Sequence, residues 1–447
     1  MHASERRSHG HDAASSLRRL PASTWRPCVF LALACCLLSA CAPSETPTPL
    51  KQDAYIWQRR WTPAVPQAMQ ASDGLVGAWR VLAAELDGAD RWTGITPDWN
   101  ALIADKRPVI MVVRINGQLD ELRGSASRSA STSASGSALE SASEAAPIAQ
   151  IDAAIKRWRQ AGVPIAGVEI DHDCATARLP AYAHFLIALR KQLPPATKLS
   201  ITALPTWLES PVLDSLLAAA DESVLQVHAV LNPRQGLFDA KRARAWLAAF
   251  AEHTDRPWRV ALPTYGTRVA WDANGNIAGI ESERPTLTTA GSAAASELVA
   301  QPAAMAAFVS QIERDRPRGM AGIVWFRLPT TDDARAWSLP TWRAVLARQP
   351  LQAGVTVVAQ ADAGQANPAL RDVILVNTGG ADTALPLSIR LDGRCRNGDG
   401  INGYALETDA QGMYLRRTQD GLLRAGRQRR IGWLVCPREE ITFHVQS

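Results

Sequence analysis

No stretch of the 447-residue chain stays apolar over the roughly 20 positions that a membrane-spanning helix needs, so no segment can cross a bilayer in that form. Charge of one sign is missing too. The chain holds 48 Lys and Arg against 43 Asp and Glu, and residues 1–40 carry five of the Arg and two of the acids, leaving about +2 downstream. No nucleic acid is therefore expected as a partner. Also absent are a His-Glu-x-x-His or paired-His motif, a Gly-rich loop following a strand, and a Gly-x-Ser-x-Gly elbow, which removes the zinc-protease, nucleotide and esterase readings. Neither a metal nor a cofactor is expected. Tyr (5) and Phe (7) are scarce, and Trp supplies 15 of the 27 aromatic residues. With 47% hydrophobic and 20% charged residues the chain is neither collagen-like nor wholly disordered, and its length excludes a single small module.

Arg18, Arg19 and Arg26 precede an apolar run from Cys28 to Ala40, the length of a signal-peptide core. The run ends in Leu38-Ser39-Ala40-Cys41, which resembles the lipobox of bacterial lipoproteins. That resemblance implies a signal peptide over residues 1–40 and a lipid on Cys41, where each buried CH₂ adds about 0.8 kcal/mol of membrane affinity. Residue 42 is Ala rather than Asp, which in Gram-negative lipoproteins favours the outer membrane. An outer membrane lipoprotein facing the periplasm is the expected location. Residues 41–52, rich in Pro, Ser and Thr, read as a tether. Three of the seven Cys leave with the signal and Cys41 is lipidated, so Cys174, Cys395 and Cys436 remain. Cys395 and Cys436 share a β-like region and are expected to pair, with Cys174 free.

From residue 54 short β-branched runs alternate with amphipathic helical stretches, the pattern of a parallel sheet. The expected strands are 54–58, 75–81, 108–115, 164–171, 198–204, 223–230, 258–264 and 321–328. Eight such units indicate an α/β fold, a (β/α)8 TIM barrel, over residues 53–348. A Ser/Ala low-complexity insertion at 124–146 reads as a loop without a fold of its own, and Asn274-Gly275 signals a hairpin after the seventh strand. Beyond residue 348 the helical period disappears. Residues 349–447 alternate between turn signals and are expected to form a small all-β sandwich, a structural cap or a glycan-binding module.

Barrel active sites lie at the C-terminal strand ends. The fourth strand ends in Gly167-Val168-Glu169-Ile170-Asp171-His172-Asp173, whose three acids sit at alternate positions and so face one side, with Val168 and Ile170 toward the helices. Acids inside a barrel lose hydration unless they pair or share protons, which points to acid catalysis or to an ion network. This strand resembles the signature of the family 18 glycoside hydrolases, the chitinase-like barrels, in which a run of Asp, apolar, Asp, aromatic, Glu ends in the catalytic acid. Ala261 to Arg268 is similar to that family's Pro-x-Tyr-Gly-Arg segment, and Gly322-Ile323-Val324-Trp325 to its eighth strand end. The whole chain also resembles a proteobacterial lipoprotein family known as domain of unknown function 3142.

The resemblance implies a glycosidase acting on an envelope or extracellular polysaccharide, such as one containing N-acetylhexosamine. Asp173 would protonate the glycosidic oxygen, Asp171 would orient the attacking acetamido group, and Glu169 would raise its neighbours' pKa. Gln226, His228, Tyr265 and Arg268 would bind substrate, and Trp325 and Trp57 would stack on sugar. Two departures stand out: Asp173 is one methylene shorter than Glu, and the sixth strand ends Gln226-Val227-His228 instead of the Met-x-Tyr-Asp type. They keep open a glycan-binding barrel without hydrolysis, or an envelope scaffold. Metal binding by Asp171, His172, Asp173 and His228 is disfavoured, because strand alternation sends His172 away from the two Asp.

Overall fold

The β-branched runs pair side by side and in parallel until the sheet closes on itself. The computed structural model describes residues 48–87, 91–117, 136–228, 236–281, 294–361, 369–391, 395–436 and 441–446, with backbone only for 136–145. Its eight parallel strands are β1 (Lys51–Ile56), β2 (Trp79–Asp87), β3 (Val109–Asn116), β4 (Ile165–Asp171), β5 (Lys198–Ala203), β6 (Glu222–Gln226), β7 (Trp258–Pro263) and β8 (Met320–Phe326). Each pairs with the next, and β8 pairs with β1. The fold is a closed (β/α)8 TIM barrel. A helix follows each strand, from Ala64–Ala71 after β1 to Leu339–Leu346 after β8.

Two strands are displaced from expectation. The second begins at Trp79 and runs through Leu82-Ala83-Ala84-Glu85-Leu86, helix-forming residues that become strand because β1 and β3 flank them. The first begins three residues early, at Lys51, and takes polar Asp53 into the barrel.

Period-two alternation sorts the strand residues into two cores. Val81, Met111, Val113, Val168, Ile170, Leu199, Ile201, Val260 and Ile323 join the helices, whose inner faces supply residues such as Phe185, Leu247 and Phe308. Inside the barrel, Tyr55, Leu82, Val112, Val224, Ala261 and Val324 form a separate apolar plug.

Residues 1–47 and 118–135, which include the segment expected to be a signal peptide, Cys41 and just over half of the insertion, lie outside the described residues. The rest of the insertion differs from the expected loop, since residues 136–146 belong to the helix Gly136–Gln160, where Ala and Glu favour helix. Among the described residues no helix is long and apolar enough to cross a membrane. After β7 the chain makes an antiparallel excursion of three strands, Gly266–Trp271, Ile277–Glu281 and Ala294–Val299. The Asp272 carboxylate accepts the Asn274 and Asn276 N–H groups (2.9 and 2.8 Å), and Gly275 turns the chain at φ +79°.

From residue 355 two four-stranded antiparallel sheets enclose a second core of Val373, Leu375, Ile389, Leu415, Ile431 and Leu434. Cys395 and Cys436 are joined beside it, with Cα atoms 4.2 Å apart, and Cys174 is a buried free thiol. Residues 49–447 form one compact unit. The Asp382 carboxylate accepts from the Ser338 N–H (2.7 Å) and hydroxyl (2.6 Å) at the start of the last barrel helix, and Arg424 donates to the carbonyls of Asp333 and Ala336.

Candidate active site

Glu169 and Asp171 lie on one inner face of β4, two residues and hence about 6.6 Å apart, and Asp173 follows just past the strand's C-terminal end. Their side chains are 0%, 3% and 41% exposed, so one strand carries three acids into three environments.

Glu169 lies in the interior. It accepts from the Tyr55 hydroxyl (2.7 Å) and the Ser200 hydroxyl (2.9 Å), and is paired with Arg80. Arg80 also binds Glu222, and Arg259 lies 3.1 Å from Glu222 and 3.4 Å from Asp53. Gly322 on β8 leaves room for this network, since a Cβ there would stand 2.5 Å from Arg259 Nη1. Burial raises the Glu169 carboxyl, and Arg80, Tyr55 and Ser200 pull against that rise. The acid expected to tune its neighbours is thus held in a closed ion network below the mouth. A cavity of about 770 Å³, lined by Leu50, Lys51, Asp53, Lys198, Glu222 and Arg259, opens at the strands' N-terminal ends.

Asp171 closes β4. Its Oδ1 accepts from the Thr202 hydroxyl (2.8 Å) and Gln226 Nε2 (3.3 Å), and its Oδ2 accepts from Arg114 Nη1 (2.9 Å). Asp173 stands past the strand end, with Arg114 Nη2 at 3.4 Å. Burial and then the charge of Asp171 push the Asp173 carboxyl up to about 6, against the pull of Arg114. The charge acting on Asp173 is therefore that of Asp171 rather than Glu169. Arg114 is itself fixed by Asn116 (2.8 Å), which donates to Asp87 (2.7 Å).

Aromatic rings fill the rest of the mouth. Phe326 packs edge-on against Trp57, Tyr55 and Tyr265 at 5.1 to 5.6 Å and stacks on His228 at 5.2 Å. Burial brings the His228 pKa down to about 4, so the ring is neutral, and its Nε2 has no partner among the described residues. Tyr265 lies edge-on to His228 with the Arg327 guanidinium over its ring, and burial pushes its hydroxyl up to about 12. Trp57 carries the Arg114 guanidinium at 5.8 Å.

Two expected binding residues are not gathered here. Trp325 is fully buried and faces the helices, its indole N–H donating to Gln52 Oε1 (3.0 Å) and its ring 6.1 Å from Trp337. Alternation gives the reason: Val324 points into the barrel, so the next inward position is Phe326. Arg268 lies within the excursion, in register with Glu281 and Glu297, which Arg335 bridges at 3.1 and 2.6 Å. His172 also turns away, its Nδ1 3.1 Å from the Ile115 carbonyl and its ring edge-on to Tyr182. Among the described residues no three His, Cys, Asp or Glu gather as a metal-holding group. Sequence reasoning missed Arg114, Thr202 and Phe326, although counting by twos from Val112 and Val324 reaches the first and the last.

The family described as Domain of unknown function (DUF3142) matches residues 105–331, and Domain of unknown function (DUF8456) matches residues 360–437. No curated protein matches the chain. Among solved structures the chain is similar to a chitinase from Chromobacterium violaceum, at 15% identity over 67% of this chain and 98% of that one, TM-score 0.47. It is also similar to the spore cortex-lytic enzyme SleL of Bacillus cereus, at 13% identity over 69% and 76%, TM-score 0.47. A chitinase from Bacteroides thetaiotaomicron gives 11% identity over 67% and 97%, TM-score 0.45.

Proposed function

The chain belongs to the family described as a domain of unknown function, DUF3142, and for this member we propose a lipid-anchored, glycoside hydrolase-like role in the bacterial envelope. Its C-terminal mouth receives a polysaccharide and cleaves a glycosidic bond. One observation carries this reading: two carboxylates on the same strand end stand in unlike surroundings, Asp171 held by three donors and Asp173 open with its pKa pushed up to about 6. Pairs of acids driven apart in this way divide into a proton donor and a charge stabiliser.

In mildly acidic medium a substantial fraction of Asp173 carries the proton that the leaving glycosidic oxygen takes up. Asp171, fixed by its three donors, steadies the positive charge that develops on the sugar. With a substrate bearing an acetamido group, as the family 18 resemblance implies, that group's oxygen attacks the anomeric carbon as the bond to the leaving oxygen breaks, and water later opens the cyclic intermediate. Half-buried Phe326 supplies apolar surface for a sugar face, backed by the buried Trp57 and Tyr265 rings, and His228 Nε2 is a buried polar atom without a partner among the described residues. Leu50 lines the cavity at the opposite end of the barrel.

A second reading, a glycan-binding barrel without hydrolysis, is favoured by the Arg114 contact, which stabilises the ionised form of Asp173. Protein starting at Ala42 is incubated with peptidoglycan, chitin oligosaccharides and exopolysaccharide, and release is followed by mass spectrometry. Release by wild type and none by Asp173→Asn is the expected result. Binding by both proteins without release would select the second reading.

A further inference from the structure

Arg114 was reached by no motif, yet it touches more of the mouth than any other cation among the described residues there. It leaves β3 at an inward position, takes Asn116 through Nε (2.8 Å), Asp171 through Nη1 (2.9 Å) and Asp173 through Nη2 (3.4 Å), and lies over the Trp57 ring. The three hydrogen bonds are unequal. Charge-assisted bonds run near 2.7 to 2.9 Å, so Asp171 is firmly held, whereas the Asp173 contact is at the edge of hydrogen-bonding distance and weak.

We propose that Arg114 is the positioning residue of this mouth, holding Asp171 in place while its weaker arm favours the ionised form of Asp173. The inference rests on the glycosidase reading for its purpose but not for its physics. The charged or titratable groups near Asp173 are Asp171 on β4, Arg114 on β3, Cys174, and Tyr182 on the following helix, with the adjoining His172 turned toward the Ile115 carbonyl. The Cys174 thiol, pushed up to about 12 by burial, and the Tyr182 hydroxyl, raised well above its ordinary value by burial, are neutral near pH 6. Burial lowers His172, disfavouring its charged form. Asp171 and Arg114 are left to decide the state of Asp173, one raising and one lowering it. Arg114 is the adjustable partner, because its bond to Asp173 (3.4 Å) is longer than its bond to Asp171 (2.9 Å).

The test is a carbon-detected NMR titration of the Asp173 carboxyl in protein starting at Ala42, for wild type, Arg114→Gln, Arg114→Lys and Asn116→Ala. An opposite charge within about 4 to 6 Å lowers a carboxyl by about 1 to 3 pH units, so Arg114→Gln is expected to raise the midpoint by about one unit or more. Arg114→Lys should restore most of the wild-type midpoint. Asn116→Ala keeps the cation but removes its brace, and should move the midpoint in the same direction by less, which decides the matter if Arg114→Gln does not fold. Unmoved midpoints in the folded variants would overturn the proposal. The titration needs no turnover: a shifted midpoint in a protein that releases no sugar would retain Arg114 and discard the glycosidase reading, and release with an unmoved midpoint would do the reverse.

Discussion

The two ends of this barrel use the same residue types to opposite ends. At the N-terminal end Asp53, Glu169 and Glu222 face Arg80 and Arg259 in a buried network. At the C-terminal end Asp171 and Asp173 share the single Arg114, and one of the two stays open. Chemistry needs an acid that can gain and lose a proton, and the mouth supplies it by leaving charge incompletely answered. Below it, the pairing is dense enough to lock the same β4 strand.

The largest expected effect breaks the lower end. Arg80→Met removes the cation shared by Glu169 and Glu222, and breaking a buried pair in this way destabilises by about 3 to 5 kcal/mol. Urea unfolding should show that loss. An unchanged midpoint would mean the network is not what holds this end.

A smaller pair of changes tests which ring serves the mouth. Trp325→Phe, buried among the helices, should lower stability by about 1 to 3 kcal/mol while leaving oligosaccharide binding unchanged. Phe326→Ala should weaken binding by about two- to tenfold, since an aromatic contact contributes about 0.5 to 1.5 kcal/mol. Calorimetric titration with the released oligosaccharides reads both.

The smallest effect is a sign. Asp173 ionises less readily in the fold than in the unfolded chain, so its stabilising contribution is present below about pH 4 and is lost as pH rises through about 6. Glu222 runs the other way. Burial would raise it, but Arg80 and Arg259 more than offset that and hold it below the usual range, so its contribution is present above that range and is lost on acidification. Between pH 4 and 7, melting temperatures of Asp173→Asn should gain on wild type as pH rises. The gain is small because Asp173 is 41% open to solvent.

Local pattern made the barrel legible. The alternation of strands and helices shows in the spacing of apolar residues, and the period of two on Gly167 to Asp173 shows which side the acids face. The second strand was displaced because Leu82 to Leu86 carry helix-forming side chains, and only pairing with both neighbours makes them strand. Trp325 was read by residue kind, whereas counting from Val324 places Phe326 inward. The ion network was hidden for another reason: Arg80 meets Glu222 across 142 positions and Glu169 across 89, and no short window contains such partners. Arg114 is not legible in the sequence, because a cation between two acids carries no motif.

The division between the two ends is tested most directly by oligosaccharide release at pH 5 from Asp173→Asn beside wild type, with the melting temperature of each sample recorded. The expected result is a protein that melts with wild type and releases nothing. Release at the wild-type rate would contradict the role given to the mouth, and a melting temperature many degrees lower would show that Asp173 belongs to the scaffold instead.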